Sequence, residues 1–333
     1  MKIAVLGGLG LQGRAAIADL VASVGVEEIV CVDTAADGPA RLAGLTDLAR
    51  VRFVVPEGAI GPALATVLDD VDAVIDLLPQ PLMRQVGVSI MTECGLDPGI
   101  DLVLYARAAR QFDSISSIDS YCGGIPEPKA MAKPLCYKVS WNFDMVLVSQ
   151  NRDSVMIEDG KRVAVPAGQQ HDNPFIHEIE VAGLGKLEAF PNGDALHYVE
   201  MLDAAKGLRR SGRYTLRWPG WSAFWAPLKE LGFLSEDKVP GTGNSPREFL
   251  GRLLGPQLQY GPGEKDLCVM RNVFSGLEDG RAKTVTSDLI IERDLASGLF
   301  GMSLGVGYPA SIVAQMLARR EITRPGLLNP LLD

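Results

Sequence analysis

Short apolar runs separated by polar turns occupy the first third of the chain. Four of them, over residues 2–6, 28–32, 51–55 and 73–78, have the length and the β-branched content of buried strands. Helices are predicted between and after them, over 14–20, 42–50, 61–68, 81–90 and 102–111. Strands that alternate with helices predict a doubly wound parallel sheet, and therefore an α/β fold for this part of the chain.

The pattern changes between about residues 116 and 291. Strands are predicted there over 118–121, 161–165, 176–181, 214–218, 267–273 and 284–291, with helices over 223–231 and 246–254. Strands with few crossover helices indicate an α+β domain with a largely antiparallel sheet. The segment 303–320 returns to helical spacing and is expected to pack back onto the first domain. We therefore predict one domain from 1–112 and 301–333 and a second from 113–300.

A glycine motif joins the first predicted strand to the first predicted helix. Gly8, Gly10 and Gly13 have the spacing G-x-G-x-x-G. In this context the glycines allow a tight turn, a close approach to a pyrophosphate and close packing of helix on strand. The amides at the start of the helix then hold phosphates. The pattern predicts a Rossmann-type domain whose cofactor loop comprises Gly8, Leu9, Gly10, Leu11, Gln12 and Gly13.

Residues at the ends of the second and fourth predicted strands extend this candidate site. Asp33 follows Gly13 by 20 positions, where a carboxylate accepts hydrogen bonds from a ribose diol. Its charge repels a 2′-phosphate and favours NAD over NADP, although the nearby Arg41 would soften that preference. Leu78 and Pro79 are expected to border the nicotinamide half, because ligands bind beyond the carboxyl ends of parallel strands. The alternative is that Pro79 only ends the strand.

Composition excludes several classes of protein. The net charge of −9 over 333 residues argues against a nucleic-acid partner, because binding to nucleic acid requires clustered basic residues. No apolar run is long enough for a transmembrane helix, and the chain starts on a strand rather than a signal peptide. The five cysteines lack C-x-x-C spacing and predict reduced thiols in the cytoplasm. The histidines lack metal-site spacing, so no metal is expected and surface positions are predicted for His171, His177 and His197.

Several strings resemble the saccharopine dehydrogenase family, in particular saccharopine reductase and lysine 6-dehydrogenase. They lie at residues 8–13, 93–101, 121–126, 134–141, 191–196 and 213–220. The resemblance implies a homodimeric oxidoreductase with a Rossmann domain and an inserted substrate and dimerisation domain. It also implies hydride exchange between NAD(P) and the amine-bearing carbon of lysine or of a lysine-derived opine.

Oxidation of an amine requires a group that accepts its proton. Asp97 and Asp101 are candidates because the loop at 95–99 would present them at the cleft between the domains. The alternative for both is capping of the next helix, which for Asp101 is at least as plausible. Lys138 is the second candidate base, since burial beside cations would lower its pKa; the alternative is an ordinary exposed lysine.

Asp101 is also predicted to bind the substrate, and so are three further residues. Arg217 would hold a substrate carboxylate through its planar fork, an assignment favoured by the family resemblance. Its alternative is a surface ion pair across strands. Cys122 precedes a Gly-Gly pair that permits close ligand approach, or is a small buried residue at a strand end. Asn192 lies in a turn that explains its residue type by itself, and the resemblance adds a substrate role.

One departure from the family opens a second hypothesis. Family members usually carry one more βα unit before the loop at 95–99, and about 25–30 residues are absent here, the size of one crossover. Either the protein lacks this unit, or the sequence omits a segment that the protein has. A genuine loss would remove one wall of the active site. The alternative function is then a non-catalytic NAD-binding regulatory protein that controls a partner through cofactor occupancy.

Overall fold

A computed structural model of the chain describes residues 1–35, 37–56, 67–78, 89–131, 133–202 and 206–332. The chain divides into two compact units, Met1–Val103 with Arg293–Asp333 and Leu104–Glu292. The predictions for Pro79 and for most of the helices at 61–68 and 81–90 lie outside the described residues. None of the described helices is long and apolar enough to cross a bilayer.

The strands are, in chain order, β1 Lys2–Leu6, β2 Glu28–Val32, β3 Val51–Val54, β4 Ala73–Asp76, β5 Ser89–Met91, β6 Ser114–Pro126, β7 Ser154–Glu158, β8 Lys161–Val165, β9 His177–Val181, β10 Gly185–Pro191, β11 Arg210–Arg217, β12 Asp266–Glu278, β13 Arg281–Glu292 and β14 Gly326–Leu328. The described α-helices are α1 Leu11–Ala22, α2 Gly38–Leu42, α3 Ile100–Ala109, α4 Phe143–Ser149, α5 Leu196–Val199, α6 Trp221–Glu230, α7 Pro246–Leu254 and α8 Gly301–Ala318.

A parallel sheet forms the centre of the first unit. Its strand order is β3-β2-β1-β4, and every pairing is parallel. Apolar side chains of β1 and β2, such as Ile3, Val5 and Ile29, are fully buried in the same core as residues of α1. The predicted parallel α/β architecture is confirmed.

The helix predicted at 42–50 is wrong, since α2 spans Gly38–Leu42 instead. Pro39 stands in its first turn, where the missing amide proton costs nothing. Gly44 then adopts φ +76°, a left-handed conformation that ends helices. The turn at Gly44 therefore ends the helix, although the apolar residues that follow have helical spacing.

The last long helix, α8, packs back onto the first unit, as predicted, and contacts α1 there. A Cβ on Gly307 of α8 would lie 2.6 Å from the carbonyl oxygen of Gln12 in α1, so the two helix backbones approach closely. A separate pair of parallel strands, β5 and β14, lies outside the four-stranded sheet of the described residues.

An eight-stranded sheet forms the second unit. The strand order is β13-β12-β6-β11-β10-β9, and β7 joins β11 to β8. The β6–β11 pair is parallel and the other pairs are antiparallel. The predicted largely antiparallel sheet is therefore confirmed.

The two faces of this sheet differ in character. Because residues opposite each other point to the same side, the strand register assigns every side chain to a face. One face is apolar and buries Tyr121, Leu216 and Val269 in a single core cluster. The other, which we call the Arg217 face, carries Ser120, Cys122, Arg213, Thr215, Arg217, Met270 and Asn272.

Candidate cofactor and substrate sites

The glycine loop of the first unit leaves no room for a side chain at Gly8 or Gly13. A Cβ on Gly13 would lie 2.3 Å from the carbonyl oxygen of Gly7, so this residue packs directly on the loop. The tight turn falls on Gly7, with φ +72°, one residue earlier than expected for Gly8. Gly8 instead needs its small size because a Cβ would meet the sulfur of Cys31 at 2.6 Å. The loop has the form that a bound diphosphate requires.

The start of α1 directs unbonded amides at this loop. Gly10 is the N-cap, and the first helical bond runs from the amide of Arg14 to the carbonyl of Gly10. The amides of Leu11, Gln12 and Gly13 therefore have no partner inside the helix. Such amides and the positive end of the helix dipole favour an anion.

The Asp33 carboxylate is held at the end of β2 by two backbone amides. Its Oδ2 accepts from the amide of Leu9 at 2.9 Å and its Oδ1 from that of Ala35 at 3.1 Å. The first bond ties the acidic side chain to the glycine loop. Asp33 is therefore fixed beside the loop with its remaining lone pairs available to a ligand.

A small pocket of about 70 Å³ opens at the carboxyl ends of the parallel strands. Its lining includes Gly7, Asp33 and Leu78. The structure thus brings together two residues that were predicted to bind the cofactor, from strands that are distant in sequence. The position of the pocket beside the loop is the one at which such folds bind nucleotides, with the adjacent helix start available to phosphates.

The loop at 95–99 folds tightly on itself. Gly99 has φ +146°, and a Cβ there would lie 2.0 Å from the carbonyl oxygen of Gly95, so only glycine is accommodated. Asp97 is half-buried in this loop. Asp101 is fully buried and accepts a hydrogen bond from the Gly99 amide at 2.8 Å. This geometry favours the structural alternative for Asp101, whose burial raises its pKa to about 7.

In the second unit, Arg217 is a buried cation with 4% of its surface exposed. Its guanidinium lies 5.2 Å from the ring centre of Tyr137 and 5.0 Å from that of Trp221. One terminal nitrogen donates to the carbonyl of Leu216 at 2.7 Å, while Nε has no hydrogen-bond partner among the described residues. Burial lowers the pKa of Arg217.

No described carboxylate pairs with Arg217, although one stands directly opposite. Glu188 faces Arg217 across β10 and β11. Its carboxylate instead accepts from the amides of Gly220 and Ser222 at 2.9 and 2.7 Å, at the start of α6. The predicted alternative of a surface ion pair is therefore wrong. A buried cation without a counter-ion is costly, and an anionic ligand would relieve that cost.

The other predicted substrate residues lie at different distances from Arg217. Cys122 is buried on the same face, opposite Thr215, and contributes to the electrostatic environment of Arg217. Asn192 directly follows β10, and its backbone amide donates to the backbone carbonyl of Arg213. Four residues of strand separate Arg213 from Arg217, or about 13 Å. The structure therefore places Cys122 near Arg217. Asn192 instead lies beside Arg213, farther along the strand from Arg217.

Lys138 has a different environment from the predicted one. Its ammonium donates to the carboxylate of Glu264, and 12% of its side chain is exposed. The same carboxylate oxygen accepts from the Gly261 amide at 2.6 Å. The predicted activation by neighbouring cations is wrong, because the nearest charge belongs to a carboxylate. The ion pair favours a structural role for Lys138.

The histidines also depart from the surface positions predicted for them. His197 is exposed and His177 is half-buried, but His171 is 4% exposed. Nδ1 of His171 lies 3.2 Å from the Ser222 hydroxyl. Burial lowers the pKa of His171 to about 3, and its ring packs on that of Phe190 at 4.8 Å. Within the described residues no group of His, Cys, Asp and Glu has the arrangement of a metal site.

Sequence reasoning missed the buried polar residues of the Arg217 face. Asn272 occupies an inward position of β12 between Met270 and Phe274, and Ser120 lies opposite it on β6. A polar residue in the inward register of an otherwise apolar strand was the available signal. Sequence reasoning also did not select Tyr137, which contacts Arg217 and precedes Lys138 in the motif at 134–141.

Comparisons with known proteins agree with this architecture. The solved structure of apo saccharopine dehydrogenase (L-Glu forming) from Saccharomyces cerevisiae superposes with a TM-score of 0.85 at 21% identity, covering 99% of this chain and 94% of the other. The NAD complex of homospermidine synthase from Legionella pneumophila gives 0.62 at 11% identity, covering 99% and 86%. At these identities the likeness shows the fold.

Curated relatives extend the similarity to sequence. Mitochondrial alpha-aminoadipic semialdehyde synthase of Bos taurus is 28% identical over 315 residues, which cover 74% of this chain and 33% of that protein. The chain thus spans about a third of the length of that relative. Saccharopine dehydrogenase [NADP(+), L-glutamate-forming] of Saccharomyces cerevisiae is 26% identical over 321 residues, covering 75% and 70%.

A family model also matches more than half of the chain. The model described as the saccharopine dehydrogenase C-terminal domain matches residues 95–333. The match contains the loop at 95–99, the eight-stranded sheet and α8. On this evidence the chain belongs to the saccharopine dehydrogenase family.

Proposed function

We propose that the protein is an NAD(P)-dependent oxidoreductase that acts on the CH–NH or CH–NH₂ group of lysine or of a lysine-derived opine. The observation that carries the proposal is the buried guanidinium of Arg217, which pairs with no carboxylate of the described residues, in a member of this family. An anionic ligand would stabilise a buried cation that has no counter-ion, and every amino-acid substrate carries a carboxylate.

The first unit supplies the cofactor site of this proposal. The amides of Leu11, Gln12 and Gly13 would bind the diphosphate, and Asp33 would accept hydrogen bonds from a ribose. The nicotinamide, when bound, supplies the hydride acceptor or donor. The protein contributes position and orientation.

Charge at the cofactor loop favours NAD in this proposal. Asp33 would repel a 2′-phosphate, and Arg41, the nearby cation, is paired with Asp37 at 2.9 Å. Arg41 and Arg293 also act on Arg14, whose pKa is lowered first by burial and then by these two cations. NADP use, as in the name of the yeast relative, would require Arg41 to leave Asp37.

The second unit supplies the substrate site. Arg217 would bind a carboxylate between Tyr137 and Trp221, with Cys122 on the same face of the sheet. Loss of the hydride and of the amine proton would leave an imine on the substrate, and addition of water to its carbon would release a carbonyl product and an amine. Asp97, half-buried in the first unit, is the proposed acceptor of the amine proton. A homodimer in the cytoplasm stays a prediction from the resemblance and the cysteine content.

The non-catalytic alternative is supported by one observation. Within the described residues the parallel sheet has four strands, and β5 pairs with β14 instead of extending it. This arrangement is consistent with the loss of one βα unit before the loop at 95–99. A regulatory protein would keep the cofactor site without turnover.

A direct assay separates the two functions. Purified protein is mixed with NAD or NADP and with saccharopine or lysine, and reduced cofactor is followed by absorbance. Turnover of a lysine-derived amine supports the enzyme. Cofactor binding by calorimetry without turnover of either amine supports the regulatory alternative, and absence of cofactor binding overturns both.

A further inference from the structure

The loop at 95–99, which carries Asp97, is an internally bonded unit. The amide of Gly95 donates to the carbonyl of Pro98 at 3.2 Å, and the amide of Ile100 donates to the carbonyl of Gly95 at 3.1 Å. These bonds fix the shape of the loop. The position of Asp97 therefore depends on how the chain enters the loop and how it leaves it.

The chain enters the loop through a residue in an unfavourable backbone conformation. Glu93 has φ +59°, in the left-handed region that glycine adopts readily and a longer side chain seldom does. Such a conformation costs free energy and persists only where the surrounding structure holds it. The backbone gives no reason for glutamate at this position, so the reason must lie in what its side chain contacts.

The side chain of Glu93 is held by a residue from the other end of the first unit. Nδ2 of Asn329 donates to Oε2 of Glu93 at 2.9 Å, and Oδ1 of Asn329 accepts from the amide of Leu331 at 2.8 Å. The second bond fixes the Asn329 amide so that its NH₂ group is directed at the carboxylate. Both ends of this amide are therefore used.

Residues 324–331, which we call the β14 strap, are anchored independently of this bond. Within the strap, β14 pairs in parallel with β5, which immediately precedes the entry to the loop. Leu328 and Leu331 are both buried. The strap thus provides a fixed point from which Asn329 holds Glu93 in place.

We propose that Asn329 and Glu93 are positioning residues for Asp97. Their hydrogen bond fixes the entry to the loop at 95–99, so that the Asp97 carboxylate lies where it accepts the amine proton. Proton transfer needs the two heavy atoms at about 2.6–3.2 Å, and a displacement of about 1 Å lowers a rate by as much as about a hundredfold. The inference rests on the proposed function and adds two residues that act through Asp97 rather than on the substrate.

The test exchanges the two groups of this hydrogen bond in the full chain. Asn329→Asp keeps an acceptor for the Leu331 amide but places a second carboxylate against Glu93. At about pH 8, where both carboxylates are ionised, the bond is lost. Glu93→Gln keeps an acceptor for Asn329. The double variant N329D/E93Q restores one donor and one acceptor in the reversed order.

Ser89→Ala is the matched control on the same strap. The Ser89 hydroxyl donates to the carbonyl of Arg324 at 2.7 Å, so the substitution removes a bond between β5 and the strap but leaves Glu93 unchanged. Steady-state kinetics with saccharopine and NAD(P), calorimetric titration with NAD and the thermal midpoint are measured for the wild type and all four variants.

We expect N329D to lower kcat at least about tenfold, with KM for saccharopine and Kd for NAD within twofold of the wild type. E93Q and S89A should keep kcat within twofold, and N329D/E93Q should recover most of the loss. Recovery assigns the effect to the contact between the two side chains. Both N329D and S89A should lower the thermal midpoint, because each removes a hydrogen bond of the strap.

Three results would overturn the positioning role while leaving the proposed function intact. They are an unchanged kcat in N329D, an equal loss of kcat in S89A, and a kcat in N329D/E93Q as low as in N329D. A lowered thermal midpoint in N329D with an unchanged kcat assigns the bond a purely structural role. A wild type that binds NAD but turns over no lysine-derived amine defeats the proposed function, and the positioning role with it.

Discussion

The indole Nε1 of Trp221 donates a hydrogen bond of 2.7 Å to Oε1 of Gln150, in the buried cluster beside Arg217. Gln150 is fully buried, and its Nε2 donates to the carbonyl of Val146 at 2.8 Å. The amide is therefore fixed at both ends. Gln150 sets the orientation of the ring that faces the Arg217 guanidinium.

Replacing Gln150→Leu should destabilise the protein by about 1–3 kcal/mol, because the Trp221 indole is left as a buried donor without an acceptor. Urea unfolding followed by tryptophan fluorescence measures the change. Gln257→Leu is the control, since that exposed side chain caps only a carbonyl of α7. Equal stabilities for Q150L and Q257L would contradict the role of Gln150.

Two arginines of β11 should respond in opposite ways to the same substitution. Arg217→Met removes a buried cation that pairs with no carboxylate of the described residues, so the thermal midpoint should stay constant or rise. Arg210→Met leaves the buried carboxylate of Asp119 without its partner at 2.9 Å and should cost about 1–3 kcal/mol. Thermal unfolding of both variants tests the contrast.

The same two variants distinguish an effect on stability from an effect on substrate affinity. R217M should weaken binding of saccharopine about 10–100-fold, the range for a lost charge-assisted contact. R210M should leave that affinity within twofold. A destabilised R217M with unchanged affinity would show that Arg217 serves only the packing of Tyr137 and Trp221.

Gly13→Ala should abolish cofactor binding at millimolar concentration. The new methyl group would lie 2.3 Å from the Gly7 carbonyl oxygen and 2.6 Å from Gly8 Cα, so the loop must move away from α1. Overpacking of this kind costs about 1–3 kcal/mol. Calorimetric titration with NAD measures the binding, and Gly168→Ala, where a Cβ meets nothing within 4 Å, is the neutral control.

Asp101 should make stability fall as pH rises towards neutrality. Burial raises the pKa of Asp101 to about 7, whereas a carboxyl in the unfolded chain titrates near ~3.9. Because the folded state holds the proton more tightly, the contribution of Asp101 to the free energy of unfolding decreases between about pH 4 and pH 7. The other titrating groups contribute equally to the stability of the wild type and of a variant that lacks the Asp101 carboxyl.

Asp101→Asn keeps an acceptor for the Gly99 amide and removes this titration. The stability of D101N relative to the wild type should therefore increase from about pH 4.5 to about pH 7.5, as measured by urea unfolding at both values. Asp47→Asn, a change at an exposed carboxylate, is the control. A constant difference between D101N and wild type would refute the assignment.

Local patterns were sufficient for the fold class. The glycine motif, the apolar runs before it and after it, and the alternation of strand and helix are properties of neighbouring residues, so the sequence predicts them directly. The strand at Lys161–Val165 and the helix at Pro246–Leu254 were predicted at their observed bounds. Strand pairing order and the face assigned to each residue follow only once distant strands are aligned.

The character of the candidate substrate site depends on contacts between residues far apart in sequence. Whether Arg217 is paired is decided by Glu188, which turns its carboxylate to the start of α6 instead. Lys138 meets Glu264 across 126 positions, and the register of β6 and β12 brings Ser120 opposite Asn272. The sequence determined which elements form and where the phosphate loop lies, because both depend on local backbone preferences. Tertiary packing decided which charges are compensated and which polar groups stay unpaired, because these depend on neighbours that only folding supplies.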